Sequence, residues 1–581
     1  MTQPMPITSL QERLLRYFNG NRREIIALIL ILCIGIFLRT YHFSDWLHFE
    51  MDQAIDYDLV SPAVDFGPGH LPLLGPNVGG GLLRLGPAFY YMEYVSAVIF
   101  GNTPTGHAMQ VLILSILSLP LFYIYCRRFF STIESLGLLA VFSTSVYLVM
   151  YSRFSWSPNV LPFLFLASFY ALLRSVSPGE RHPARWFLTA VVAVTITSQI
   201  HFNSFFVTPL IAVAFTAIKR PRFPLKVWLA GLAIILTLYS PVILNDIHNN
   251  RENLHYLREK FDKTKPGSLV MTDTLIQTVE YDAYEFFFIT TGTDLINGIK
   301  LQDYGFSCKT CGENMGLKIF SLALFLTGLV SIAIMVWKER DAKRKDFHIL
   351  TLLWCLVSFY LIYSIADGYR MYPRFFLLLA PLAVILYGYI LHLIQPKHGR
   401  VRFWIFISII VTLVTLNIHA ILPIFDQLRN ESLSKGMEIE VGDIFPNTNR
   451  ITLAQQTAIV DYIVSKYRDN EYPTYLQSES EYEPAFWALL ERHGIRYRDE
   501  IRDSSLYSEG NYFDIRYADD TFDTDSKYTV LETKPFGTLT VRFFKPLDAV
   551  VVGTRQSDSE YKQSEVVTVI SKLLRWDELF R

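Results

Sequence analysis

Over roughly the first 425 residues, apolar side chains fall into long unbroken runs rather than alternating or helical-stripe patterns. A helix needs about 20 apolar residues to cross the hydrocarbon core of a bilayer. Eleven runs approach that length: 25–43, 107–126, 133–151, 158–173, 186–200, 204–218, 227–244, 315–337, 347–366, 375–394 and 403–424. Runs 186–200 and 204–218 are short, with Gln199, His201 and Asn203 between them, and read as two helices meeting at a polar turn. Segment 87–100 (PAFYYMEYVSAVIF) is as apolar, but it reaches only about 21 Å as a helix. It reads as a helix lying in the outer interface.

Beyond residue 425 the pattern changes to mixed charge with short periodic stretches. Segments 452–467 and 484–494 read as helices, and 514–517, 528–533 and 538–544 as strands, with Pro535-Phe536-Gly537 as a turn. The expected fold is therefore an α-helical polytopic membrane protein of about 11 spans with a C-terminal extracytoplasmic α/β domain. Residues 1–24 form a cytoplasmic segment. Residues 25–424 form the transmembrane domain, with external loops 44–106 and 245–314, and residues 425–581 form the outer domain.

Charge fixes the expected orientation, because Lys and Arg are retained on the cytoplasmic side. With the N-terminus inside, the basic clusters at 13–23, 127–128, 174–185, 219–226, 338–345 and 397–402 all face the cytoplasm. The short loops opposite hold only Arg153, Arg370 and Arg374. The expected location is thus the cell membrane, multi-pass, with the C-terminus outside. Charged residues are 18% of the chain, aromatic residues 15%, and Lys plus Arg (53) balance Asp plus Glu (54). These values exclude a disordered chain, a disulfide scaffold and a basic nucleic-acid binder. Cys308 and Cys311 lie in the second external loop, where a local disulfide is the preferred reading over zinc or redox chemistry.

The first external loop opens with His48, Glu50, Asp52, Gln53, Asp56 and Asp58. It continues through turn-rich backbone (Pro72–Pro76, Gly79–Gly81) to Arg84 and an aromatic helix bearing Tyr90. Carboxylates just outside the first span sit at headgroup level, where a solvated loop is the plain alternative. Arg153, Arg374 and Arg370 at the outer mouth fit either snorkelling or phosphate binding, since a guanidinium meets two phosphate oxygens at once. Arg39, near the outer end of the first span, fits both readings too. His201 and Asn203 suit a capped turn better than a sugar contact.

The order of these segments carries a resemblance. An acidic region after span one is followed by "PLLGP…GGG…LGPAFYY", "YSRFSWSPNVLPFLF", "SQIHFNS" and "YPRFFLLLAPL". The tail then contains "PAFWALLERHGI". This resembles the GT-C membrane glycosyltransferases, relatives of protein O-mannosyltransferases and of the transferase that places aminoarabinose on lipid A. The resemblance implies a polyprenyl-phosphate sugar donor, an extracytoplasmic acceptor (glycan, lipid or protein) and a catalytic Asp in the first loop, at Asp52 by motif position. It implies a basic residue near Arg84 on the lipid phosphate. Relatives often carry Asp-Glu where this chain has Asp52-Gln53, and some carry a second Asp where it has Asn159. No cofactor and no divalent metal are therefore expected, although Glu50, Asp56 and Asp58 could supply oxygen ligands.

The chemistry implied is inversion at the anomeric carbon. Asp52 would act as general base, with Arg84, Arg153 and Arg374 on the phosphate and Arg370, Glu50, Gln53, Tyr90, His201 and Asn159 lining the substrate site. A transporter or lipid flippase with an external ligand-binding domain is the alternative from another class, and a sensor the third. Transporters favour repeated halves around a midplane site, a pattern not found in this sequence.

Overall fold

The computed structural model describes residues 22–78, 82–262, 271–293, 299–302, 305–308, 315–366, 373–393, 399–431, 450–479, 481–495, 497–498, 506–518, 527–555 and 573–579. The first part of the chain forms α1 (Arg22–Thr40), α2 (Met51–Phe66), α3 (Ala88–Phe100), α4 (Pro104–Cys126), α5 (Thr132–Thr144), α6 (Val146–Tyr151) and α7 (Leu161–Val176). It continues with α8 (Pro183–Thr197), α9 (Phe202–Lys219), α10 (Leu225–Leu238), α11 (Ser240–His248), α12 (Glu252–Asp262) and α13 (Met271–Thr291). After a hairpin of β1 (Ile299–Gln302) and β2 (Gly305–Cys308) come α14 (Met315–Lys338), α15 (Ala342–Ala366), α16 (Ala380–Leu393) and α17 (Gly399–Asn430).

Among the described residues, seven helical segments are long and apolar enough to cross a membrane unaided, and α10 with α11, bent by 54°, makes an eighth. The remaining three expected spans fall short for local reasons. Helix α1 carries Arg22, Arg23, Glu24 and Arg39, α5 stops at Ser145, and α8 has 15 residues. The protein is multi-pass, with seven or eight such segments among the described residues.

The stretch 245–314, expected as an external loop, contains a helix that the sequence did not suggest: α13, from its middle, packs against α14, α15, α16 and α17 of the bundle. Its Tyr281, Ala283 and Phe286–Ile289 are buried. Asp273, Glu280, Asp282 and Glu285 break up its apolar run, which is why hydropathy does not reveal it. A further helix, α2, occupies part of the stretch 44–106 expected as the first external loop.

The bundle is stitched at two levels. At one end Lys219 pairs with Asp346, and Glu134 takes His392 (3.0 Å) and Arg402 (3.5 Å). Near the other end Arg39 is fully buried and donates to Gly35 O (2.9 Å), Ser143 O (2.8 Å) and Ser115 Oγ (2.9 Å), joining α1, α4 and α5. Its role is structural.

The C-terminal domain contains α18 (Leu453–Asn470) and α19 (Glu483–Arg492). Its strands are β3 (Thr474–Gln477), β4 (Tyr497–Arg498), β5 (Leu506–Tyr507), β6 (Asn511–Tyr517), β7 (Tyr528–Phe536), β8 (Leu539–Pro546) and β9 (Val551–Gly553). The main sheet has the order β4-β3-β6-β8-β7, parallel across its first three strands and antiparallel beyond. Both expected helices and all three expected strands are present. The short β3, β4, β5 and β9 are additional to the expected strands, and Pro535 lies in β7, so that the turn is Gly537-Thr538, with Gly537 at φ 63°. Ile459, Ile463, Phe486, Phe513 and Val541 form the core of this domain.

Candidate active site

Helix α2 starts directly below the C-terminal domain, and its start is well specified. Glu50 and Gln53 form a reciprocal capping box, in which Gln53 Oε1 accepts the Glu50 N–H at 3.2 Å. Gln53 is therefore committed to the helix end rather than open to a substrate. Asp52 lies in the first turn, where the helix dipole favours an anion. The residue keeps contact with solvent, but neighbouring groups crowd its carboxylate.

Four groups surround this carboxylate. The Trp156 indole N–H donates to it, Arg374 and His48 face it as cations or potential cations, and Glu50 faces it as an anion. Packing and Glu50 outweigh Arg374, Trp156 and His48, so the Asp52 pKa is raised above the ordinary carboxylate value. Glu50 itself is tied to His48, Oε1 to Nε2 at 2.8 Å. Arg374 lies over the Trp156 ring (5.3 Å) and over Phe375 (5.5 Å), in a 3-10 segment, Pro373–Leu379. The Trp156 ring therefore orders both members of the pair, donating to the carboxylate at its edge and carrying the guanidinium on its face.

His201 lies beside Arg374 and 6.2 Å from the Phe375 ring. Burial, and then Arg374, pull its pKa down to about 4, so it is neutral at physiological pH. Its Nδ1 accepts the Asn203 N–H at 3.3 Å at the start of α9, which is the capped turn expected.

A second, buried cluster sits one helical turn further along α2. Tyr90 Oη donates to Asp56 Oδ1 at 2.8 Å, and Ser155 Oγ donates to Glu93 Oε1 at 2.9 Å. Burial and the neighbouring Glu93 push Asp56 well above the usual range, while burial pushes Glu93 to about 8. Arg84 acts on Asp56 and Tyr90 from the facing hairpin, with Nη1 on Gly75 O at 3.2 Å. That hairpin packs backbone to backbone. A Cβ on Gly75 would lie 2.1 Å from Gly86 O, and one on Gly86 would lie 2.3 Å from Gln199 Oε1.

The other expected residues separate. Arg153 is fully buried and donates to Leu38 O (3.2 Å), Arg39 O (3.0 Å), Tyr41 O (2.8 Å) and His42 O (3.3 Å). It satisfies the carbonyls left over at the C-terminal end of α1. The expectation that it holds phosphate is corrected, because those bonds occupy its guanidinium fork. Asn159 is buried, with Nδ2 on Phe154 O at 3.1 Å, and supports the loop that presents Trp156. Arg370, Cys311 and Gly79–Gly81 lie outside the described residues, as does the Cys308 side chain. Sequence reasoning gave Trp156 and Glu93 no role. Glu93 had a usable signal, as the one acid in an otherwise apolar aromatic helix.

A divalent cation would need several hard oxygen donors. Among the described residues no group of three His, Cys, Asp or Glu side chains is placed to hold a metal ion. Beside Asp52 stand the cation Arg374, the donor Trp156, and Glu50 and His48, which are bonded to each other, a set that suits an anion-binding site better than a divalent cation.

The fold, a polytopic bundle carrying a C-terminal α/β domain, is the GT-C fold. The crystal structure of ArnT from Cupriavidus metallidurans in the apo state is similar at a TM-score of 0.51 and 10% identity. The match covers 92% of this chain and 99% of that one. The same protein bound to undecaprenyl phosphate gives 0.48 at 9% identity, with the same coverage. The archaeal oligosaccharyltransferase AglB from Archaeoglobus fulgidus, in complex with an inhibitory peptide and a dolichol-phosphate, gives 0.47 at 10% identity, covering 86% and 70% of the two chains. No family model matches this chain, and no curated protein matches it.

Proposed function

We propose that this protein is an inverting glycosyltransferase that moves a sugar from a polyprenyl-phosphate donor to an extracytoplasmic acceptor. Asp52 is the general base and Arg374 the principal phosphate-binding cation. The observation that carries the reading is the Asp52–Trp156–Arg374 arrangement, in which a carboxylate and an aromatic-backed guanidinium from a distant segment meet on the side of the bundle that carries the C-terminal domain.

The acceptor hydroxyl oxygen attacks the anomeric carbon and passes its proton to Asp52. On the opposite face the bond from the anomeric carbon to the phosphate oxygen breaks, and its electron pair leaves with the lipid phosphate. A phosphate leaves readily as an anion, so positive charge replaces the general acid of glycoside hydrolysis. A raised pKa suits a base that must accept a proton near neutral pH. Arg84 completes the positive field from the hairpin side, and Arg370 remains an expected member of the site. In this reading the N-terminus is cytoplasmic and the C-terminal domain lies outside the cell membrane.

The test is turnover of a synthetic polyprenyl-phosphate sugar by purified protein. Asp52→Asn is expected to lower kcat by about 10²–10⁴-fold, the usual contribution of a general base. Full sugar transfer by folded Asp52→Asn protein would refute the assignment.

A further inference from the structure

The C-terminal domain holds the helix that carries Asp52 near both of its ends. At the start of α2, Met51 N–H donates to Glu481 O (2.8 Å). Just before it, Gln456 Nε2 donates to Phe49 O (2.7 Å), and the Leu453 and Ala454 N–H groups donate to Leu47 O (3.2 Å) and Asp45 O (3.1 Å).

Further along α2, Arg492 closes the grip from the last residue of α19. Its Nε donates to Tyr57 Oη (2.6 Å), its Nη1 to Asp65 Oδ2 (2.8 Å), and its guanidinium lies 5.4 Å from the Tyr57 ring centre. Tyr57 Oη donates onward to Asn102 O (3.3 Å). Asn102 Nδ2 donates to Asp65 Oδ1 (2.8 Å) and Ser61 O (3.2 Å), and its Oδ1 faces His107 Nε2 at 2.9 Å. One arginine thus ties the C-terminal domain to α2, to the loop before α4 and to α4 itself.

Helix α2 needs such support. It has 16 residues, lies outside the bundle's long spans and contains Pro62, which removes a backbone donor from its interior. A helix of this length is marginal without tertiary contacts. Catalysis by a positioned base tolerates little displacement, since about 1 Å costs up to about 10²-fold in rate.

We propose that the C-terminal domain is a positioning element for Asp52, with Arg492 as its key contact. This rests on the reading of Asp52 as the base. Arg492 touches no reacting atom; it acts through Tyr57 and Asp65.

The experiment uses full-length protein carrying Arg492→Ala or Arg492→Lys, read by steady-state kinetics and by amide hydrogen exchange. In Arg492→Ala, kcat is expected to fall about 10- to 100-fold. KM for the polyprenyl-phosphate sugar and for the acceptor should stay within about twofold. Exchange at amides 51–58 should accelerate while β6 and β8 stay as protected as before. Arg492→Lys should recover part of kcat, because an ammonium reaches Asp65 but cannot fork to Tyr57 as well. A raised acceptor KM with unchanged kcat would overturn positioning in favour of acceptor recognition. Unchanged exchange at 51–58 in Arg492→Ala would overturn the grip itself, even if wild-type protein transferred no sugar; that second failure would count against the base assignment instead.

Discussion

Asp52 and Glu50 are two residues apart, and the sequence presents both as acids in one loop. In the structure they do different work. Glu50 closes the capping box and pairs with His48, while Asp52 faces Trp156 and Arg374. The Asp52 pKa is raised, and a base must be ionised to accept a proton. Activity is therefore expected to be full above that pKa and to fall as the pH drops through it, at a higher pH than for an ordinary carboxylate. Glu50→Gln keeps an acceptor for the cap but removes the like charge. Its acid limb in a kcat/KM against pH profile should move to lower pH, and an unmoved limb would separate Glu50 from the base. Asp52 was legible in the sequence because its place after the first span matches a motif. Trp156 was not, because an aromatic residue at a membrane interface needs no functional reason to be there.

Arg153 shows what the choice of element does to a residue. From sequence it is an arginine on the side where arginines are scarce, and phosphate binding is a fair expectation. Its partners are carbonyls of residues 38–42 at the end of α1, more than a hundred positions away, and only packing of α1 beside α6 brings them together. Arg153→Ala should leave buried acceptors unmet and destabilise the fold by about 3 kcal/mol or more. Arg153→Lys should rescue little, because an ammonium cannot serve carbonyls spread along a planar fork. Thermal unfolding in detergent checks this. A near-wild-type midpoint together with a raised donor KM would restore the phosphate role. Helix α13 makes the complementary point. Its acids hide it from hydropathy, yet its aromatic face is buried in the bundle, so a loop by composition becomes a packed helix by tertiary context.

At the scale of the whole molecule, the basic loops gather at the end where Lys219 meets Asp346, and the C-terminal domain packs on residues 45–51 at the other end of the bundle. In the proposed topology the first end is cytoplasmic and the second is outside. With native cysteines replaced by serine, Lys343→Cys should be shielded from a membrane-impermeant maleimide in intact cells and Asp548→Cys should react. The reverse labelling would invert the topology and move the proposed chemistry to the cytoplasm.

The sequence by itself determined the membrane class, the approximate span positions and the C-terminal domain with its main strands and helices, and it singled out the carboxylate proposed as base. Each of these follows from local information: run length, residue periodicity, loop charge and short motifs. Only the tertiary structure decided which arginine faces Asp52, that Trp156 links the two, that Arg153 and Gln53 serve helix ends, and that Arg492 reaches back to the first loop. Those outcomes depend on which distant backbone and side-chain groups meet when the helices pack. A guanidinium satisfies whatever acceptors arrive beside it, and no local pattern records which ones they will be.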